Sequence, residues 1–469
     1  MTRVALITNG ISSTVHSSLE LARRLQARDH DVTFISHADI AETIESNGFP
    51  FAALTADRGA FDELHRAMAT IRRGTPRSRL AALVRLPMTA RRVRRTTVDA
   101  DELLTLLASL RPDLLVIDIE AHLAIVATSQ LGIPTALTTF LFAIEQRRGV
   151  PPIDSWSEPG DDEIIRGEWE RVHRSSFLAA RRRRWSRRGL VDHFGPVSYA
   201  TTSRDALRAV ARRAGFDLAA HTDTTQWLRP HGYTGLPVLT TNLRELEFGD
   251  GASQEWHYVG PMVRADRKDV ATEHEDLGRW HAVRERHRSE PDRPLIYCSL
   301  GSYWNADIDV LGRIVDVARR RTEWDLVIGL GGRGDPAALG AVPPNVLALR
   351  WAPQVEILAE ADAAIVHGGS ASLNECVVQG TPMLVCSTGH LDQNGVAARV
   401  RVAGIGVACD GRRVDSETIE AHLDRLLGDR SIRTEIERLR DLVRQPARMD
   451  QAVDLLEAIA NTRPSGRPV

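Results

Sequence analysis

The sequence predicts an α/β protein built from two doubly wound parallel-sheet domains, and three observations carry that prediction. At 469 residues the chain exceeds what one hydrophobic core supports. Its first half alternates short apolar runs with amphipathic stretches, the rhythm of β-α-β units. Its second half repeats that rhythm after a polar, glycine-containing stretch.

In the first half, the run from Val4 to Thr8 reads as a buried strand and Asn9 to Thr14 as a polar loop. Ser18 to Arg28 then reads as a helix, with Leu19, Ala22 and Leu25 near one face. Val32 to Ile35 predicts the next strand. Leu114 to Asp118 predicts another, followed by a helix to Leu131 and a strand from Thr135 to Thr138. In the second half, strands are expected at Leu295 to Cys298, Leu326 to Ile328, Val346 to Ala348, Ala363 to Val366 and Met383 to Val385. The turn Ser299-Leu300-Gly301-Ser302 and a helix from Val310 to Arg320 follow the first of these. The expected division is a first domain at 1–245, a linker at 246–262 and a second domain at 263–440. A last helical stretch runs from about Ser431 to Ala460, and the chain from Pro464 reads as frayed.

Composition narrows the function. A hydrophobic share of 43% with 26% charged residues is that of an ordinary globular chain, and a net charge of −2 argues against nucleic-acid binding as a bulk property. The four cysteines have neither zinc-site spacing nor a disulfide framework, so they read as buried hydrophobes in a reducing compartment. MTRVALITNG enters a strand at once without a signal-peptide layout, and charges interrupt every long apolar region. The expectation is a cytoplasmic protein with no integral membrane segment. Arg72 to Arg95 holds nine arginines and no acid, and Arg181 to Arg188 is a second basic run. Such runs fit solvated helix faces paired with acids such as Asp161, Asp162 and Glu163. They also fit peripheral contact with a membrane or an acidic carrier protein.

The most informative block is Trp351 to Gln393, WAPQVEILAEADAAIVHGGSASLNECVVQGTPMLVCSTGHLDQ. Ala363 to Val366 is a short strand broken by Gly368-Gly369, and Ser370 to Val378 has helical character. A glycine-rich strand-to-helix turn offers free backbone N–H groups and the positive end of the helix dipole, an anion site. The block resembles the donor-binding signature of family 1 glycosyltransferases, with spacing closest to the bacterial antibiotic and macrolide enzymes. Glu-Leu-Glu-Phe at 245–248 and Tyr-Val-Gly-Pro at 258–261 resemble the linker of the same family. The resemblance implies the GT-B architecture, two Rossmann-like domains facing across a cleft, with 441–469 returning to the first domain. It implies that Trp351 stacks on the base, Gln354 bonds near base and ribose, and Glu375 holds ribose hydroxyls. His367, Gly369, Ser370 and Ser372, with Ser302 of the first turn, would line the diphosphate site. Asp392 and Gln393 would grip sugar hydroxyls.

The implied reaction is inverting and metal-independent, with no cofactor beyond a UDP- or TDP-sugar and with a small natural-product acceptor. Such transfer needs a base for the acceptor proton and stabilisation of the departing diphosphate. The family places a His in the loop after the first strand, oriented by an Asp at a later strand end. Asp118 matches that Asp. Ungapped alignment puts Thr14 at the His position and His16 two residues on; a shift in the Gly10 to Ser13 loop would bring His16 to the same point. His16 with Asp118 is therefore the expected pair, with His122 as the alternative base and Glu120 a further candidate. Two rival functions stay open: a nucleotide-sugar-binding auxiliary protein that activates a partner, and a sugar-nucleotide epimerase or hydrolase on the same fold.

Overall fold

A computed structural model describes residues 1–9, 12–37, 40–55, 70, 75–95, 100–160, 162–185, 204–223, 232–250, 255–267, 274–301, 308–332 and 334–462. Two parallel sheets organise them. The first contains β1 (Arg3–Ile7), β2 (Asp31–His37), β3 (Phe51–Leu54), β4 (Leu114–Asp118) and β5 (Thr135–Thr139). A small antiparallel pair, β6 (Thr222–Asp223) and β7 (Gly232–Tyr233), stands apart from it. With β8 (Val238–Thr240) and β9 (Trp256–Tyr258), the first sheet runs in the order β3-β2-β1-β4-β5-β8-β9. The second holds β10 (Leu295–Ser299), β11 (Asp325–Gly329), β12 (Val346–Leu349), β13 (Ala363–Val366), β14 (Met383–Ser387) and β15 (Gly406–Asp410). Its order is β12-β11-β10-β13-β14-β15.

The strand sequences explain this arrangement. β4 and β10 are buried at every residue, as strands covered by helices on both faces must be. Alternate residues serve opposite faces. Ala5, Ile7, Leu115 and Ile117 pack with Leu103 and Leu107 of the helix Ala100–Leu110. Val4, Leu6, Leu114 and Val116 pack with Leu19, Ala22 and Leu25 of the helix Ser12–Gln26. No helix of the described residues is long and apolar enough to cross a membrane. The Arg-rich runs at 72–95 and 181–188 fall largely outside the described side chains.

Three elements differ from expectation. The first helix begins at Ser12, not Ser18, so Thr14 and His16 lie on a helix and not in a loop. The stretch expected as linker contributes β9, whose Trp256, His257 and Tyr258 pair in parallel with β8 of the first sheet. The long last helix is two, Arg430–Val443 and Pro446–Ala460, because Pro446 lacks an N–H and takes the first position of a new helix. Ala452, Val453 and Leu456 of that final helix are buried among Val4, Leu6 and Leu19 of the first domain. Arg28 ties it further, to Asp454 at 3.1 Å and Glu457 at 2.7 Å.

A buried charge cluster fastens the two halves. Glu247 accepts from Arg399 Nη2 at 2.8 Å, Arg147 Nη2 at 3.0 Å and the Ala143 amide at 2.9 Å. The Arg399 guanidinium lies between the rings of Phe142 and Phe248, 4.3 and 4.4 Å from their centroids. Burial alone would raise the Glu247 carboxyl, but the charges of Arg399 and Arg147 overcome it and hold it at about 2. Beside it, Asn394 Nδ2 donates to the Asp154 carbonyl at 3.0 Å. A side chain at Gly395 would collide with the Ile153 carbonyl, so only glycine permits this close approach.

Candidate functional site

The site forms where the carboxyl ends of β10 and β13, which are neighbours with Ser299 beside Val366, face the ends of β1 and β4. On the second-domain wall, β13 runs into Gly368-Gly369 and the helix Ser370–Gln379. His367 fills the lip. A Cβ at Gly369 would stand 2.6 Å from His367 Nε2 and one at Gly301 would stand 3.1 Å away, so the two glycines make a slot for the imidazole. Burial lowers its pKa to about 4, which keeps the ring neutral. The indole of Trp351 lies against Gly332, where a Cβ would be 2.7 Å from its Cε3, and its Nε1 has no hydrogen-bond partner.

Deeper in the wall, one amide connects the predicted nucleotide residues. Gln354 Nε2 donates to Ser372 Oγ at 3.3 Å and to Glu375 Oε2, while Gln354 Oε1 accepts from the Tyr297 hydroxyl at 3.0 Å. The other Glu375 oxygen accepts from Arg267 Nη1 at 2.8 Å. Ser370 Oγ donates to Asp392 Oδ2 at 3.1 Å, and burial pushes the Asp392 carboxyl up to about 6. Gln393 Oε1 accepts from the Thr388 amide and hydroxyl, each at 3.0 Å, which folds the loop before the helix Gln393–Val402.

The first-domain wall is a knot of polar groups at the ends of β1 and β4. Thr14 Oγ1 donates to Asn9 Oδ1 at 2.8 Å, and Asn9 Nδ2 donates to Glu120 Oε2 at 3.1 Å. The Glu120 amide donates to Asp118 Oδ1 at 2.9 Å, whereas Asp118 Oδ2 is buried without a hydrogen-bond partner. Burial raises the Asp118 carboxyl, against which the nearby Thr14 hydroxyl and Asn9 backbone pull down. Burial also raises Glu120, and the charges of Asp118 and then Asp392 raise it further. Asp392 belongs to the opposite wall, so this is where the two walls meet.

Placement of the candidate bases follows from the helix start. Thr14 neighbours Asp118, whereas His16 lies two residues on, about 200° around the helix axis, and cannot replace it by slippage. Loss of water, and then the charge of Arg267, push the His16 imidazole well below its usual range. The structure therefore brings Asp118 together with Thr14, Asn9 and Glu120, not with His16. His122 is also elsewhere: it is buried, with Nδ1 2.8 Å from the Tyr233 hydroxyl. Ser302 lies outside the described residues. Three participants were absent from the sequence reading: Asn9, Tyr297 and Arg267. Tyr297 reads in sequence as one more strand residue, and only its hydroxyl marks it.

Similarity to known proteins follows the same division. Residues 317–458 match the family model described as Erythromycin biosynthesis protein CIII-like, C-terminal domain. Demethyllactenocin mycarosyltransferase of Streptomyces fradiae is 28% identical over 211 residues, 45% of this chain and 42% of the relative. Oleandomycin glycosyltransferase of Streptomyces antibioticus is 30% identical over 169 residues, 35% of this chain and 38% of the relative. The matched stretches thus span less than half the length of either relative. Whole-chain likeness comes from solved structures. The glycotransferase of kitacinnamycin superposes with a TM-score of 0.64 at 22% identity, covering 98% of this chain and 99% of that one. The calicheamicin glycosyltransferase CalG4 gives 0.61 at 19% identity, covering 98% of each chain. Glycosyltransferase VinC, solved in complex with DTDP, gives 0.59 at 17% identity, covering 98% of this chain and 99% of that one. The fold is GT-B, and the match of residues 317–458 to the EryCIII-like model lies in the half of the chain that is also similar to the two Streptomyces glycosyltransferases.

Proposed function

We propose that this GT-B chain, with its EryCIII-like C-terminal domain, is an inverting glycosyltransferase. It moves a hexose from a nucleotide-diphosphate sugar to a hydroxyl or similar nucleophile of a small natural-product acceptor. The observation that carries this reading is the joint placement of Trp351, Gln354, Ser372 and Glu375. An aromatic ring, an amide, a helix-start hydroxyl and a carboxylate are the groups that base, ribose and phosphate call for, and Gln354 bonds directly to the last two. A carboxylate suited to a ribose diol favours UDP- over TDP-sugars. Asp392 and Gln393, at the wall-to-wall contact, would meet the sugar.

In the proposed step the acceptor oxygen attacks the anomeric carbon from the first-domain side. Its proton passes to the Asp118–Glu120 pair, and the bond to the diphosphate breaks with its electrons leaving on the phosphate oxygen. The backbone amides around Gly369 and Ser370, with the Ser372 hydroxyl, would receive that charge, and the reading needs no metal or cofactor. The carboxyl pair suits the base role better than His16. A base acts best when its pKa is near the working pH; burial lifts these carboxyls toward it and drives the imidazole away.

Calorimetric titration with UDP, UDP-glucose and TDP-glucose tests the donor site. Binding of the UDP compounds, weakened in Glu375→Ala, is the expected result; equal affinity of that variant would remove the ribose assignment. Gly369→Ala is expected to push His367 from its slot and weaken UDP binding about tenfold, since a methyl forced into a packed site costs about 1–3 kcal/mol. Unchanged UDP affinity in that variant would show that His367 and its turn do not hold the phosphates.

A further inference from the structure

Four of the nine large hydrophobic side chains exposed among the described residues belong to one helix, Pro76–Arg95. Leu80, Leu83, Val84 and Met88 are between 51% and 71% exposed. At about 100° per residue they fall on a single arc of about 140°. Ala82, which is buried, lies on the side opposite. The helix thus turns a small side chain inward and four larger apolar ones outward, the reverse of what burial favours. An apolar residue exposed singly is ordinary, but four along one face form a patch.

Charge on this helix is as one-sided as its apolar face. Its 20 residues hold seven arginines and no acid. By helical position Arg77 stands within the apolar arc, while Arg79 and Arg85 border it on either side, and all three are exposed. From Thr55 to Glu102 the sequence holds eleven arginines against six acids, in a chain whose net charge is −2. Two of those acids are engaged elsewhere, Asp101 with Arg213 and Glu102 with the Thr55 amide and hydroxyl. Acids nearby in sequence therefore cannot neutralise the set.

An occupant of this face must cover apolar groups and supply negative charge around them. A second copy of the chain would bring the same arginines to the same face, like against like. Leu, Val and Met side chains make no directional bonds that would orient a protein partner. A bilayer surface asks for none: the acyl boundary receives the apolar side chains and anionic headgroups receive the guanidiniums.

We propose that the helix Pro76–Arg95 docks the protein on an anionic membrane surface, with Leu80, Leu83, Val84 and Met88 in the headgroup–acyl boundary and the arginines on the headgroups. None of the residues assigned to the donor belongs to this helix, so the docking stands apart from the donor reading.

The test is flotation of the whole protein with vesicles of phosphatidylcholine alone and of phosphatidylcholine mixed equally with phosphatidylglycerol. Wild type is expected to bind the anionic vesicles about tenfold better than the neutral ones, and to lose that preference in high salt. Val84→Asp puts a charge into the apolar arc and should weaken anionic-vesicle binding about tenfold or more. Leu80→Ser with Met88→Ser should do the same without adding charge, and serves alone if Val84→Asp fails to fold. Arg77→Gln with Arg85→Gln should remove most of the preference for anionic lipid. Thermal unfolding near that of wild type confirms that each variant is folded. Wild type that binds neither kind of vesicle, or both equally, overturns the proposal, and so does full binding by folded Val84→Asp. In the first case, dimerisation that Val84→Asp abolishes would give the face to a second copy, and binding of a small apolar acceptor lost in that variant would give it to the acceptor.

Discussion

Asp118→Asn is expected to lower the rate of sugar transfer by about 10²- to 10⁴-fold, the range over which a positioned base contributes, with UDP affinity near wild type. The argument is geometric first. Asp118 ends β4 at the cleft, accepts the Glu120 amide on Oδ1, and buries Oδ2 with only the Thr14 hydroxyl and the Asn9 backbone close to the carboxylate. Buried acceptors are almost always well satisfied, so an oxygen without a well-formed hydrogen bond at a strand end has room for another donor. Folding should survive the change, because burial already opposes the charge that asparagine lacks. The sign of the pH dependence also follows. Only the ionised carboxylate accepts a proton, and burial raises both carboxyls of the pair, so kcat should rise with pH through a range above that of ordinary carboxylates and then level. Steady-state rates of Asp118→Asn, Glu120→Gln and His16→Ala across pH decide the matter. Full activity in Asp118→Asn with loss in His16→Ala would return the base role to the imidazole.

Glu247→Ala is expected to destabilise the protein by about 3–5 kcal/mol, the usual consequence of removing one partner from a buried charge cluster. The variant leaves Arg399 without its carboxylate at 2% side-chain exposure and Arg147 likewise at 8%. Arg399 retains its contacts with Phe142 and Phe248, which soften the loss without replacing the anion. Linkage gives a second handle. The Glu247 carboxyl falls from its usual 4.5 to about 2 on folding, so its stabilisation is complete above pH 4.5 and lost as pH falls through about 2. Denaturant unfolding of wild type and Glu247→Gln should therefore converge across that window. A constant difference between them at all pH values would show that the carboxylate charge is not what holds the halves together.

Much of the architecture was legible because it depends on local pattern. β1, β4, β10 and β13 are continuous apolar runs, and Gly368-Gly369 marks the strand-to-helix turn whatever surrounds it. Short or polar elements were harder. β8 and β9 have three residues each, too few for periodicity, and Ser12-Ser13-Thr14 reads equally well as a loop or as a helix start. That ambiguity bears on the expected base, since a loop tolerates a two-residue shift and a helix does not. The residues from Trp351 to Gln393 proposed for the donor were legible as a block of closely spaced types. Arg267 was not, because Glu375 is 108 positions away and nothing local distinguishes this buried arginine from those on the surface. The approach of Asp392 to Glu120 likewise exists only once two separately folded sheets face each other.

The central claim is tested most directly by incubating the protein with UDP-glucose and a panel of small hydroxylated acceptors, measuring released UDP and glycosylated product together. The account predicts UDP release that requires an acceptor, matched one for one by a product with inverted anomeric configuration. UDP-glucose binding with no product from any acceptor, and no change on mutating Asp118, would contradict it and favour a nucleotide-sugar-binding auxiliary role instead.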